Sequence, residues 1–306
     1  MTPSIRAQLL SRYLRLTVKP KPLHMIEPAE LRRWYESKAI PPSPRGIAVE
    51  PVGDGRVSGE WHRAPGKAPR TILYLHGGGY VFGSPRVYRT LTFSLARSAE
   101  AEIFAPVYRL APEHPCPAAI EDAVAAYEWL LTQGRSPADI VIAGDSAGGG
   151  LTLATLMALR DKRTPLPAAA IAYSPWADLT VTGSSAKGND VHDCTFKEET
   201  VREGASRYRG ALDAKDPRVS PLYGEFAGLP PLLLFASKSE ILYDDAKRVA
   251  ERAHAAGVDI RLEEAENLPH VWPLYHALIP EGRQAVALSA AFVRERTGRS
   301  AKGMAA

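Results

Sequence analysis

The chain has 306 residues, 45% of them hydrophobic and 24% charged, which is the make-up of a folded globular protein and excludes a disordered or collagenous one. Its formal net charge is +4, and its basic residues are scattered, as in Lys19-Pro20-Lys21, Arg32-Arg33 and Arg294-Glu295-Arg296, so no nucleic-acid-binding face is expected. The two cysteines, Cys116 and Cys194, lie far apart without zinc-ligand spacing; that argues against a disulfide framework or a metal site and for reduced thiols in a cytoplasmic protein.

In chain order, residues 1 to about 40 read as a helical, amphipathic arm with Ile5, Leu9, Leu10, Tyr13 and Leu14 on one face. Arg6, Arg12 and Arg15 interrupt it, so neither an export signal nor a membrane span is expected. Pro20, Pro22 and Pro28 are breaks, Ile40-Pro41-Pro42-Ser43-Pro44 ends the arm, and Tyr13, Trp34 and Tyr35 are expected to pack against the main body. A hairpin follows, Ile47 to Val52 and Val57 to Arg63 around Gly53-Asp54-Gly55.

From Thr71 strands and helices alternate. The strands are Thr71–Leu75, Glu102–Tyr108, Asp139–Ala143, Ala168–Tyr173, Leu232–Ala236 and Asp259–Glu263. The helices are Val87–Arg97, Pro117–Leu131, Leu151–Asp161, Asp244–Ala256 and Glu281–Arg296. This rhythm implies a mostly parallel sheet covered on both faces. One interval breaks it, an insertion from about Ala177 to Pro230 with a helix-like Lys197–Gly210. No repeat or low-complexity linker divides the chain. Residues 1–306 are therefore expected to form one domain, with a cap from about 1–45 and about 177–230.

The chemistry concentrates at Gly144-Asp145-Ser146-Ala147-Gly148, between an apolar strand and a helix. A G-x-S-x-G at such a joint is a nucleophile elbow, and the turn leaves room for almost no side chain beside the serine. Alone, the pattern is equally a tightly packed turn. A second motif, His76-Gly77-Gly78-Gly79-Tyr80, follows the third strand. Consecutive glycines there let backbone N–H groups approach the oxygen that becomes negative during acyl transfer. Gly78 and Gly79, with Ala147 after the serine, are the candidate oxyanion donors; Gly77 is the substitute for either glycine.

A serine hydroxyl needs a histidine base, and the histidine needs a carboxylate to orient it. His270, in the loop after the last strand, is preferred over His276, over His192 in the insertion and over His254 on the polar side of a helix. Glu240, just past the strand Leu232–Ala236, is the candidate acid. Asp244 and Asp245 are explained by opening the next helix, and the Asp145 side chain is expected to bond locally.

With these residues in place the chain resembles the bacterial hormone-sensitive-lipase-like esterases of the α/β-hydrolase fold (family IV). The resemblance rests on His76-Gly77-Gly78-Gly79, Tyr108-Arg109-Leu110-Ala111-Pro112-Glu113-His114-Pro115, Gly144–Gly149, Ser220-Pro221-Leu222, Gly228-Leu229-Pro230-Pro231 and Pro269-His270-Val271. It extends over most of the chain from about residue 70. It implies an eight-stranded, mostly parallel sheet flanked by helices, a helical cap, and carboxylic-ester hydrolysis without cofactor or metal. A homodimer through the last strand is a further implication. Where the family has a glycine-containing turn before the acid, this chain has Ser237-Lys238-Ser239. Short- to medium-chain acyl esters or lactones are the expected substrates. A lactonase or amidase with the same triad, and a non-catalytic small-molecule receptor on the same fold, are the alternatives. The Tyr108–Pro115 stretch is expected to organise the pocket wall rather than to catalyse.

Overall fold

The computed structural model describes residues 3–37, 43–44, 46–66 and 68–298, so Ile40, Pro41 and Pro42 of the proline-rich end of the arm lie outside the described residues. Eight strands form one sheet in the order β1-β2-β4-β3-β5-β6-β7-β8. They are β1 Ala48–Asp54, β2 Val57–Arg63, β3 Arg70–Leu75, β4 Ala101–Pro106, β5 Ile140–Asp145, β6 Ala169–Tyr173, β7 Leu232–Ser237 and β8 Ile260–Ala265. β1 pairs with β2, and β2 with β4, in antiparallel fashion; every other pairing is parallel. The register sets Leu75 beside Gly144 and Asp145 beside Tyr173, so the C-terminal ends of β3, β5 and β6 share one edge of the sheet.

The central strands are apolar at consecutive positions because both faces are covered. In β3, Ile72 and Tyr74 pack in one core with α3 (Pro85–Ala99) and α9 (Pro280–Arg296), whereas Leu73 and Leu75 pack in the other. That second core holds α4 (Ala118–Thr132), α5 (Ala147–Asp161) and α8 (Tyr243–Ala255). Most boundaries shift by one or two residues, and two of the departures from the sequence reading have a visible cause. β4 stops at Pro106 because Tyr108 leaves the sheet to stack on His76, with ring centroids 4.2 Å apart. α5 already begins at Ala147, so the glycines after the serine are helical rather than part of a longer turn.

The arm folds as α1 (Ile5–Thr17), a 3-10 turn at Leu23–Met25 and α2 (Pro28–Glu36). Pro28 is the first helical residue of α2 and starts a helix instead of breaking one, since its fixed φ suits that position. The expected single apolar face of α1 is divided: Leu14 is buried and Leu10 partly so, while Ile5, Leu9 and Tyr13 face outward. Tyr13 therefore does not pack against the body.

The insertion holds α6 (Ser184–Gly188) and α7 (Glu198–Arg209). Arm and insertion are tied by cationic side chains donating to backbone carbonyls. Arg15 reaches Val191 O and His192 O at 2.9 and 2.6 Å, and Lys19 reaches Asp190 O and Asp193 O. Arg207 reaches His24 O and Ile26 O, each at 3.2 Å.

Candidate active site

The elbow is built by close backbone approach. Ser146 has φ 53° and ψ −119°, a strained conformation for a residue with a side chain. Its N–H donates to Tyr173 O at 2.8 Å, and its carbonyl accepts from Trp176 N at 2.9 Å and Gly150 N at 3.0 Å. A Cβ on Gly144 would come within 2.2 Å of Gly148 O, and one on Gly148 within 2.0 Å of Leu75 O. The glycine of Gly148 therefore serves contact between the elbow and β3, not the turn alone.

The loop after β3 lies against this elbow. Gly77 N–H donates to Asp145 Oδ1 at 3.0 Å, and the Tyr74 hydroxyl donates to the same oxygen at 2.8 Å. Asp145 thus does not bond locally, as expected from sequence, but reaches back to the strand and loop that precede it by some seventy residues. Burial pushes its carboxyl up to about 7, against the lowering effects of Tyr74, His270 and Gly77. With its N–H taken by Asp145, Gly77 is poorly placed to stand in for Gly78 or Gly79. Both of these have positive φ, 118° and 61°, and both line the cavity beside Ser146. His76, by contrast, is held away behind the loop: burial pushes its pKa down to about 4, and the Tyr108 hydroxyl donates to its carbonyl at 2.6 Å.

His270 and Glu240 come from the loops after β8 and β7. Glu240 Oε2 lies 2.6 Å from His270 Nδ1, and Oε1 accepts from Ser237 N at 2.8 Å. Both side chains are buried. The opposite ring nitrogen, Nε2, is buried without a hydrogen-bond partner, and His270 lines the same cavity as Ser146. Burial resists the imidazolium, but the hydrogen bond and charge of Glu240, with the charges of Asp193 and Asp145, outweigh it and hold the pKa above the ordinary 6.5.

What replaces the glycine turn before the acid is support from the insertion. Asn189 Nδ2 donates to Lys238 O at 2.7 Å and to Glu240 O at 2.9 Å. Asp193, buried, accepts from Ile241 N at 3.0 Å and from Thr195 N at 2.7 Å. Sequence reasoning did not single out either residue. They sit in an irregular segment without motif or periodicity, and only the fold brings them to Glu240.

Ser146, His270, Gly78 and Gly79 share a cavity of about 340 Å³ with mainly apolar walls. The arm contributes Leu23, Leu31, Trp34 and Tyr35, and α7 contributes Val201 and Gly204. Tyr35 stacks on Phe82 of the glycine loop at 4.2 Å, Tyr208 stacks on Tyr80 at 3.6 Å, and Phe196 sits edge-on to His270 at 5.1 Å. Trp34 and Tyr35 therefore line the pocket as well as packing on the body.

The remaining candidates lie elsewhere. His192 and His254 are exposed, and His276 lines a separate depression beside α9. Asp244 and Asp245 open α8, in its first turn, and also hold the insertion: Asp245 accepts from Ala177 N and Asp178 N at 2.9 and 2.8 Å, and Asp244 from Ser185 N at 2.9 Å. Arg109 pairs with Asp122, and Glu113 with Arg32, whose Nε donates to Val81 O; that stretch braces the pocket wall. Among the described residues, no group of three or more His, Cys, Asp or Glu gathers to hold a metal, and no helix is long and apolar enough to cross a membrane.

A parallel sheet with a strand-turn-helix serine at its carboxyl edge defines an α/β hydrolase. Residues 72–274 match a family model described as the alpha/beta hydrolase fold. The acetyl-hydrolase of Streptomyces hygroscopicus is 45% identical over 256 residues, covering 82% of this chain and 86% of that one. An esterase of Acinetobacter venetianus is 34% identical over 91% of this chain and 93% of its own. Among solved structures, EstE5 soaked with p-nitrophenyl butyrate superposes with a TM-score of 0.91 at 41% identity, covering 96% of this chain and 99% of that one. An esterase from the bacterial hormone-sensitive lipase family gives 0.90 at 41% identity, covering 97% and 100%. The chain belongs to the α/β-hydrolase fold family, among its bacterial hormone-sensitive-lipase-like esterases, and is a carboxylic ester hydrolase.

Proposed function

We propose that the protein hydrolyses short- to medium-chain acyl esters or lactones through Ser146, His270 and Glu240. The observation that carries this reading is the state of the His270 ring: Nδ1 is held by Glu240, while Nε2 is buried, unpartnered and beside the Ser146 cavity. A base so arranged takes the Ser146 hydroxyl proton as Oγ attacks the ester carbonyl carbon. The C=O electron pair moves onto oxygen, where the N–H groups of Gly78, Gly79 and Ala147 receive it; each such donor contributes about 10²–10³ in rate. None of those three N–H groups donates a hydrogen bond among the described residues, which supports the assignment. The intermediate collapses, the C–O bond to the alcohol breaks, and the imidazolium returns its proton to the leaving oxygen. Water then repeats the cycle on the acyl-enzyme with His270 again as base, releasing the acid and free Ser146.

The apolar cavity of about 340 Å³ supports acyl groups of modest length, and the arm with residues 177–230 acts as its cap on a single catalytic domain. The buried, unpaired thiols of Cys116 and Cys194 support a cytoplasmic setting. β8 ends the sheet with an unpaired edge, which supports a homodimer through that strand; light scattering giving a monomer mass would remove it. The decisive experiment is Ser146→Ala assayed on an acyl-length series of aryl esters and lactones. Turnover should fall by about 10⁴ or more with the thermal transition preserved, and retained turnover would sink the mechanism.

A further inference from the structure

α1 presents an apolar stripe that nothing among the described residues covers. Ile5, Leu9, Tyr13 and Leu16 are 75%, 62%, 61% and 68% exposed, while Ala7 and Leu14 on the other side of the helix are buried in the body. The spacing of the four outward residues, i, i+4, i+8 and i+11, places them along one flank of a helix. Met25, after the helix, is 74% exposed, and Val191 of the insertion, whose carbonyl accepts from Arg15, is 67% exposed. Large side chains are rarely left so bare in such a row unless the surface meets another apolar phase.

The charges that the arm itself carries along the stripe are of one sign, although Asp190 and Asp193 flank Val191. Between Met1 and Ile26 the sequence holds Arg6, Arg12, Arg15, Lys19 and Lys21 and no acidic residue. Among the described residues none of these five forms a salt bridge: Arg15 and Lys19 donate to neutral carbonyls, and Lys21 lies over the Trp34 ring at 4.2 Å. Carboxylates that border the arm have other partners: Glu281 receives Ser4, Glu199 lies 3.7 Å from His24, Asp190 accepts from Glu198 N, and Asp193 accepts from Thr195 N, Phe196 N and Ile241 N. A second copy docked here by two-fold symmetry would bring α1 against α1 and face these cations with themselves. An anionic surface meets both features at once.

We propose that the outward face of α1 binds an anionic lipid surface, with Ile5, Leu9, Tyr13 and Leu16 seated at the headgroup–acyl boundary and Arg6 and Arg12 among the headgroups. Val18 and Leu23, which follow the helix, line the cavity, so docking sets the pocket beside the phase in which apolar esters dissolve. The binding stands apart from the chemistry proposed above; only its benefit to turnover rests on that reading.

The test is co-flotation of the full chain with phosphatidylcholine vesicles, with and without phosphatidylglycerol. Flotation with the anionic vesicles only, weakening as salt is raised, is expected. Leu9→Glu with Leu16→Glu should lower the bound fraction roughly tenfold or more while leaving p-nitrophenyl butyrate hydrolysis in solution unchanged. Arg6→Glu with Arg12→Glu, which keeps the apolar row intact, should lose the anionic preference by a similar factor. No flotation, equal flotation of either double variant, or a solution dimer that Leu9→Glu dissolves would each overturn the proposal. Loss of hydrolysis in Ser146→Ala with flotation retained would leave it standing.

Discussion

The wall of the cavity made by the sheet and the wall made by the arm and insertion are held by different mixtures of forces. On the sheet side, Ser146 and the Gly77–Gly79 loop hang from strands whose side chains are almost fully buried on both faces. Each large apolar side chain there contributes about 1.5–3 kcal/mol by leaving water. On the cap side, Leu179, Val201, Ala205 and Tyr208 are buried in the core too, and to this are added cationic side chains on carbonyls, from Arg15, Lys19, Arg32 and Arg207, two aromatic stacks on Phe82 and Tyr80, and Phe196 edge-on to His270. The hydrogen bonds to carbonyls exchange with water at small net cost. In the mechanism proposed above, the reacting groups sit on the sheet side and the arm and insertion face the substrate.

His270 and Glu240 straddle the two regions, because their loops come from the sheet while Asn189, Asp193 and Phe196 support them from the insertion. Of the changes that compare the two regions, Glu240→Gln is therefore expected to give the largest effect, a loss in kcat on the order of 10²–10⁴. Its pH profile sharpens the point. The charge of Glu240 helps raise the His270 pKa, so the neutral base is lost as pH falls through a value above 6.5. Removing that charge should move the acid limb to lower pH, and an unmoved limb in the pH–rate profile would show that Glu240 does not set it.

Gly148→Ala probes the sheet side without touching a reacting atom. Its Cβ would stand 2.0 Å from Leu75 O, an atom of β3 that cannot give way cheaply. Destabilisation on the order of 3 kcal/mol is expected, read as a lower denaturant midpoint. A wild-type midpoint would mean that the elbow and β3 are less rigidly joined than the packing implies. The smallest effect belongs to the cap. Arg207→Ala removes the clamp of α7 on His24 and Ile26 and should raise KM roughly three- to tenfold with kcat nearly constant. Equal losses in kcat would make the cap part of the chemical step and erase the contrast.

Features governed by neighbours along the chain are legible in the amino-acid order alone. Consecutive apolar positions mark β3 and β5, helical spacing marks α4 and α8, and glycines mark the two turns at the sheet's edge. Those signals are local: strand period, helix period and the absence of a Cβ each act within a few residues. Where local signals are silent, long-range contact decides the outcome. Asp145 reads as a turn residue yet bonds Tyr74 and Gly77, and Asp244 and Asp245 open α8 as read but in addition hold residues 177–185. α1 reads as one apolar face because amphipathic spacing cannot say how much of a stripe the body will cover.

By itself, then, the sequence determined the α/β alternation, the serine elbow, the glycine loop and the order in which an acid and a histidine follow them. Only the tertiary structure decided that Gly77 spends its N–H on Asp145, that Asn189 and Asp193 steady the Glu240 loop, and that half of α1 stays bare. The reason is physical. Burial and hydrogen-bond pairing are properties of segments that meet across the chain, and no window of sequence contains both partners.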